Sequence, residues 1–277
     1  MIAPHSFWQA IAPAGTYTDA GPFTDAFPAT LPDGRQLLLP IRTLPGDGTH
    51  GVAGLICNQA SFAVLDTLAD FLTELVRPIE PEVIVGVPTL GLPLAEGVAR
   101  RLGHARLVPL STSRKFWYRE DLSEPLASIT TPERRKSLFI DPRMLPLLEG
   151  RRIVVIDDVV SSGQSLTGVL RLLRKAGIAP QAVGVAMLQG DKWRTALAEI
   201  DPAWPGLVRG VFASPLLRLR GEGWVRESSF DAPPAEGPLT RRCAATSPPK
   251  GEVKRGHRLS RAPHLSPGGE VGCAASG

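Results

Sequence analysis

The hydrophobic positions of the chain form short strand-like runs that alternate with helical patterns. Apolar runs at 83–87, 153–156 and 182–188 have the length typical of buried strands, and residues 106–110 indicate a further short strand. Between them, apolar residues recur every three or four positions, as on one face of a helix. These faces comprise Phe62, Leu65, Ala69, Leu72 and Val76; then Ala95, Val98, Ala99 and Leu102; then Leu166, Val169, Leu170 and Leu173. The alternation predicts an α/β fold, a central parallel sheet flanked by helices.

The residues before this core give a weaker pattern. Residues 1–22 have no period and predict an irregular arm. A Pro-Asp-Gly turn at 32–34 separates two strand-like runs, 23–30 and 36–41, which predicts a β-hairpin. The Gly-rich residues 45–54 are interpreted as a loop.

The end of the chain has a different composition. Residues 195–229 indicate a short helix and a weak last strand at 207–212. From residue 230 onward Pro, Gly, Ser and Arg dominate, which predicts a disordered low-complexity tail. We therefore divide the chain into three parts. They are an N-terminal arm and hairpin (1–57), an α/β core (58–229) and a disordered basic tail (230–277).

Charge and composition exclude several classes of protein. The net charge is +4, but residues 238–277 alone carry seven Lys or Arg and two Glu, so the other 237 residues are close to neutral. No specific nucleic-acid partner is expected from such a body. No run of eighteen apolar residues and no signal-like N-terminus is present, and the three cysteines are far apart. A cytoplasmic protein without a membrane span, disulfide framework or zinc site is expected.

One stretch combines features that point to a ligand. The strand at 153–156 is followed by Asp157 and Asp158 and then by a loop of small and polar residues at 161–165. A helix begins immediately after this loop, and the N-terminus of a helix attracts anions. Carboxylates beside a phosphate-binding loop suit a ligand that also carries hydroxyls or a divalent cation. A sugar phosphate meets both requirements, although a strand ending in two acids without any ligand is the alternative.

This stretch resembles the phosphoribosyl-pyrophosphate signature of type I phosphoribosyltransferases, and the chain is identified as a member of that family. The resemblance implies that Asp157 and Asp158 act at the ribose and reach Mg²⁺ through water or ribose hydroxyls. It also implies that the loop binds the 5′-phosphate. The loop residues are Ser161, Ser162, Gly163, Gln164 and Ser165. Neither a P-loop motif nor a Gly-x-Gly-x-x-Gly run after a strand occurs in the chain.

Two further segments gain a role from the resemblance. The turn after the strand at 83–87 would hold pyrophosphate through its backbone amides, although an ordinary turn is the alternative. This turn consists of Pro88, Thr89, Leu90 and Gly91. The long connection at 111–137 would contain a loop that closes over pyrophosphate, with Arg114 and Lys115 as its catalytic cations and residues 134–136 as second choices. A solvated charged hairpin is the alternative.

The acceptor is less well defined. Asp191 and Trp193 follow the strand at 182–188, where the family approaches the base, although Asp191 can equally begin a helix. The aromatic residues at 116–118 can stack on a base or anchor the connection. The layout resembles adenine phosphoribosyltransferases, with the hairpin as the hood over the site.

The predicted activity follows from the resemblance. It is the transfer of ribose 5-phosphate from phosphoribosyl pyrophosphate to a nucleobase, preferably a purine, in nucleotide salvage. Mg²⁺ would be the cofactor, and a homodimer is expected. Xanthine, orotate or another acceptor stays open. A non-catalytic regulator that binds phosphoribosyl pyrophosphate or a nucleotide through the same domain is the alternative, followed by a plain interaction domain.

Overall fold

The computed structural model describes residues 2–46, 48–126 and 136–227. All of them belong to one compact unit, Met1–Leu239. The prediction of a disordered tail at 230–277 lies outside the described residues, and so do the second-choice cations Arg134 and Arg135.

The described residues form twelve strands and four α-helices. The strands are β1 (Ala26–Thr30), β2 (Gln36–Thr43), β3 (His50–Ala53), β4 (Val83–Gly86), β5 (Val108–Pro109), β6 (Ser123–Leu126), β7 (Lys136–Phe139), β8 (Ile153–Val160), β9 (Ala182–Gln189), β10 (Val208–Ser214), β11 (Leu216–Arg220) and β12 (Gly223–Arg226). The helices are α1 (Phe62–Val76), α2 (Leu92–Arg101), α3 (Gln164–Lys175) and α4 (Lys192–Ala198).

The central sheet has the order β10-β9-β8-β4-β5, and all four of its pairings are parallel. This confirms the predicted parallel sheet, including the weak last strand, which lies at an edge as β10. β8 is in the middle, where its apolar residues at 153–156 are buried on both faces. Because the strands are parallel, the ends of β4, β8 and β9 lie at one edge of the sheet.

A second sheet contains the predicted hairpin. β1 and β2 pair antiparallel around the turn at 31–35, as expected. The order is β1-β2-β3-β11-β12, and Phe23 pairs with Trp224 of β12 through two backbone hydrogen bonds. The sheet therefore curls so that β12 pairs with Phe23, three residues before the start of β1.

Three parts of this architecture differ from the pattern of the sequence. Residues 50–53, interpreted as loop, form β3, and the chain after β10 adds β11 and β12 to the sheet that contains the hairpin. The connection at 111–137 contains the antiparallel pair β6 and β7. β3 and β11 are short and pair with each other although they are distant in the chain, with Leu217 opposite Gly51. Local periodicity contains no information about such pairing.

The parallel sheet divides the hydrophobic core into two halves, and each half contains two of the helices. α1 and α2 pack with the curled sheet on one face of the parallel sheet, and α3 and α4 pack with β6 and β7 on the other. Ser61 caps α1, since its Oγ accepts a hydrogen bond of 3.3 Å from the Val64 amide. Phe62 was expected on the buried face but is 85% exposed. It is the first residue of the helix and precedes the turns that contact the sheet.

Candidate active site at the carboxyl edge of the parallel sheet

Asp157 and Asp158 lie within β8, near its carboxyl end. Asp157 is buried, and its Oδ1 accepts a hydrogen bond of 2.9 Å from the Asp158 amide. Asp158 is half-buried. The strand therefore presents one sheltered and one more accessible carboxylate at the edge where the connecting loops begin.

Burial controls the electrostatics of this pair. It raises the pKa of Asp157 well above the usual value, and the negative charge of Asp158 raises it further. Burial also raises the pKa of Asp158. The effect extends to Cys57 in the turn before α1, where burial and then the charges of Asp158 and Asp157 raise the thiol pKa. A cationic ligand group or a divalent cation would relieve this concentration of negative charge.

Of the residues at 161–165, Ser161, Ser162 and Gly163 connect β8 to α3, whereas Gln164 and Ser165 are the first two residues of α3. Gly163 has φ +80° and is buried, while Ser162 and Ser165 are exposed. A Cβ on Gly163 would lie 3.0 Å from the Trp193 Cα, so this backbone packs against the start of α4. The amides in the first turn of a helix have no partners within the helix. The loop thus offers backbone donors beside exposed hydroxyls, which suits an anion.

The turn at 88–91 joins β4 to α2 and contacts the acid pair directly. A Cβ on Gly91 would lie 2.7 Å from both the Cα and the Oδ1 of Asp157. The Val87 amide donates to the Ile156 carbonyl at 3.0 Å, which holds the turn against the end of β8. The Pro88–Thr89 peptide bond is cis, and Thr89 is exposed. The structure therefore brings two of the three predicted segments together.

The third predicted segment is the connection that carries Arg114 and Lys115. Arg114 pairs with Glu120 at 2.8 Å, and no ion pair of Lys115 occurs among the described residues. The Trp117 indole donates to Asp141 at 3.3 Å, and the Tyr118 ring lies 5.7 Å from that of Phe139. These two rings anchor the segment.

Phe116, the neighbour of these anchoring rings, is 96% exposed. Its ring centroid lies 4.8 Å from that of Trp117 in an edge-on arrangement. The three aromatic residues that the sequence placed together thus have different environments.

Asp191 and Trp193 lie at the start of α4. Trp193 is only 1% exposed, and its indole donates to the Gly190 carbonyl at 3.1 Å, so it packs beneath the phosphate loop in this conformation. Asp191 occupies the N-cap position of α4, but its side chain accepts no capping hydrogen bond and is exposed. Contact of either residue with a base stays a prediction, and it is sterically simpler for Asp191.

Sequence reasoning missed two buried polar contacts between elements that are distant in the chain. The buried Gln189 amide donates to the Ala53 carbonyl at 2.7 Å, which links the end of β9 to the curled sheet. Glu124 of β6 is buried and pairs with Lys175 of α3 at 2.5 Å. A glutamate followed by proline in a polar stretch carries no signal of burial, so only the tertiary structure identifies Glu124.

The donor set suits the expected cation. Mg²⁺ prefers oxygen ligands and commonly takes only one or two carboxylates from a protein. Asp158, half-buried beside Asp157, offers such an oxygen. Within the described ranges, no group of three or more His, Cys, Asp or Glu residues converges as a metal site. No helix in those ranges is long and apolar enough to cross a membrane.

Comparison with known proteins gives similar sequences that include a transcriptional regulator and a phosphoribosyltransferase. The chain is 28% identical over 137 residues to the transcriptional regulator GfcR of Halobacterium salinarum, an alignment covering 50% of this chain and 56% of the regulator. It is 27% identical over 128 residues to a hypoxanthine/guanine phosphoribosyltransferase of Methanohalophilus mahii, covering 46% of this chain and 62% of the enzyme. The chain thus matches less than two thirds of either relative.

A solved structure and a family model complete the comparison. The adenine phosphoribosyltransferase of Giardia lamblia, solved with 9-deazaadenine, is 20% identical with a TM-score of 0.48, covering 62% of this chain and 93% of that one. The model of the phosphoribosyl transferase domain matches residues 56–205, more than half of the chain, and this range contains both site loops and the acid pair. The protein therefore has the type I phosphoribosyltransferase fold and belongs to the phosphoribosyl transferase domain family.

Proposed function

We propose that the chain transfers the ribose 5-phosphate group of phosphoribosyl pyrophosphate to a nucleobase, with a purine as the preferred acceptor, and releases pyrophosphate. The contact between Gly91 and Asp157 carries this proposal. It places the turn at 88–91 beside the acid pair, and the same strand continues into the loop at 161–165. A ligand with a sugar between two phosphate groups matches this order of sites.

In this proposal each segment has one task. The amides and hydroxyls at 161–165 hold the 5′-phosphate, and Asp158, with Asp157 behind it, accepts hydrogen bonds from the ribose hydroxyls. Holding the sugar at both ends removes much of the entropic barrier to attack by the base. The backbone at 88–91 receives the pyrophosphate and stabilises the charge that grows on it as the C1–O bond breaks.

Mg²⁺, when bound, supplies positive charge to the pyrophosphate oxygens. Asp157 and Asp158 would hold it, directly or through water and ribose hydroxyls. Arg114 and Lys115 would add charge from the protein, and this requires Arg114 to exchange its pairing with Glu120. That pair is exposed, so its exchange costs little.

Asp191 and Trp193 are proposed to lie on the side from which the base arrives. Similarity to the hypoxanthine/guanine enzyme supports a purine. We further propose a cytoplasmic homodimer that acts in nucleotide salvage.

The second candidate is a regulator that binds phosphoribosyl pyrophosphate or a nucleotide without catalysis. It is favoured by one observation, the 28% identity to GfcR over 137 residues. Both candidates use the same sugar-phosphate site and differ in turnover.

One experiment separates these candidates. Binding of phosphoribosyl pyrophosphate with Mg²⁺ is measured by calorimetry, and pyrophosphate release is measured with adenine, guanine, hypoxanthine, xanthine and orotate. The Asp157→Asn/Asp158→Asn protein is the matched control. Release with one or more bases, lost in the control, supports the transferase. Binding without release supports the regulator, and absence of binding contradicts both.

A further inference from the structure

The hairpin of β6 and β7 docks along α3, the helix whose first turn borders the phosphate loop. At the far end of α3, Lys175 Nζ lies 2.5 Å from Glu124 Oε2 and donates to the Ser123 carbonyl at 3.0 Å. Nearer the loop, a Cβ on Gly168 would lie 2.9 Å from the Leu126 side chain. β6 therefore runs from the last turn of α3 toward its N-terminal half.

Glu124 is the polar anchor of this docking. Its side chain is 9% exposed, and besides Lys175 it has Arg171 Nη1 at 4.0 Å from its Oε1. Both cations are on α3, whereas Glu124 is on the hairpin. A sheltered carboxylate between two cations is costly to leave unpaired, so the pairing fixes one position of β6 on the helix.

The hairpin in turn holds the segment that carries Arg114 and Lys115. Ser111 and Phe139 of β7 exchange two backbone hydrogen bonds, of 3.0 and 2.8 Å, and Tyr118 stacks on the ring of Phe139. The segment is therefore attached to β7 at both of its ends. Through these contacts the phosphate-loop helix, the hairpin and the basic segment are mechanically connected.

We infer that Glu124 is a positioning residue, whose pairing with Lys175 and Arg171 sets the place of the segment at 111–118 relative to the phosphate loop. Only the expected effect of Glu124 on catalysis rests on the proposed function. The mechanical part holds for a transferase and for a regulator. Glu124 itself touches no substrate in this inference.

The test compares Glu124→Gln with the native full chain. Glu124→Gln keeps the shape of the side chain and removes its charge. Glu96→Gln is the matched control, because Glu96 pairs with Arg100 on the exposed face of α2 at 2.7 Å. Lys175→Met and the Glu124→Gln/Lys175→Met double variant complete a double-mutant cycle. If the two residues act as one unit, the effects of the single variants are not additive in the double variant.

Two readouts are needed. Amide hydrogen exchange at 111–118, 123–126 and 136–139 should rise about tenfold or more in Glu124→Gln, while α1 and α2 keep native exchange. In transfer assays kcat should fall about tenfold and KM for phosphoribosyl pyrophosphate should change less than about twofold, because positioning acts on the transition state. The double variant should be no worse than Glu124→Gln.

Different results overturn different statements. Native exchange of the hairpin in Glu124→Gln overturns the positioning role. Faster exchange with an unchanged kcat overturns its link to catalysis. A native chain that transfers nothing contradicts the proposed transferase, and the exchange measurement then still decides whether Glu124 holds the hairpin.

Discussion

Gly91 of the β4–α2 turn lies directly against Asp157 of β8, with space for a hydrogen atom but not for a methyl group. A Cβ on Gly91 would lie 2.7 Å from Asp157 Cα and Oδ1 and 2.8 Å from the Val87 carbonyl oxygen. Two of these atoms belong to the backbone, which cannot shift without disturbing the pairing of β8 and the turn after β4. The turn at 88–91 and Asp157 are thus parts of one packed unit.

Gly91→Ala should therefore separate the turn from the acid pair. We expect affinity for phosphoribosyl pyrophosphate with Mg²⁺ to fall at least about tenfold, with a loss of stability of about 1–3 kcal/mol from overpacking. Calorimetry and chemical denaturation measure these effects. Gly206→Ala is the control, because a Cβ there meets nothing within 4 Å and the glycine has no left-handed φ. Native affinity in Gly91→Ala would contradict the proposed role of the turn.

The raised pKa of Asp157 predicts a pH dependence of stability. The folded protein binds the proton of this carboxyl more tightly than the unfolded chain, whose pKa is near the ordinary 3.8. This contribution is fully present below about pH 4 and is lost as the pH rises through the folded-state pKa. Between those limits the ligand-free native protein loses stability relative to Asp157→Asn, which carries no such charge.

Denaturation of both proteins from pH 4 to pH 8 tests this prediction. Asp157→Asn should be the more stable protein at neutral pH and should lose affinity for the ligand. Glu199→Gln is the control, since Glu199 is exposed. A stability difference between native and Asp157→Asn that does not change with pH would show that burial does not perturb this carboxyl.

Substitutions of Gly163 and Gly177 test whether the loop at 161–165 binds phosphate. Both have left-handed φ, +80° and +74°, so alanine at either position costs about 1–2 kcal/mol of backbone strain. A Cβ on Gly163 would also lie 3.0 Å from Trp193 Cα, whereas one on Gly177 meets nothing within 4 Å. Gly163→Ala should lose both stability and affinity for ribose 5-phosphate. If Gly177→Ala weakens that affinity equally, the loop is not the phosphate site.

Variants of Lys115 and Arg119 compare two cations of the same segment that differ in their ion pairing. No ion pair of Lys115 occurs in the part of the chain that the structure describes, whereas Arg119 pairs with Asp121. If Lys115 stabilises charge on pyrophosphate, Lys115→Ala should lower kcat about 10- to 100-fold, and Arg119→Ala should leave it within about threefold. Steady-state kinetics with the preferred base decides the matter. Equal effects of the two variants would assign the cationic role elsewhere.

Much of the site was predictable because its chemistry is local in the chain. A strand, two acids, a small-residue loop and a helix follow one another between residues 153 and 175, and parallel strands place such loops at a common edge. The turn at 88–91 was predicted in the same way. What could not be predicted was its contact with Asp157, because the approach of Gly91 depends on how β4 and β8 pair.

The sequence alone determined the α/β fold, the hairpin of β1 and β2, and the residues of the two loops, since hydrophobic period and turn chemistry act over a few neighbouring residues. The tertiary structure decided which distant parts join them. It extended the antiparallel sheet with β11 and β12, buried Trp193 against Gly163, and placed Glu124 between Arg171 and Lys175. These arrangements depend on pairing and desolvation between segments far apart in the chain, which no local pattern encodes.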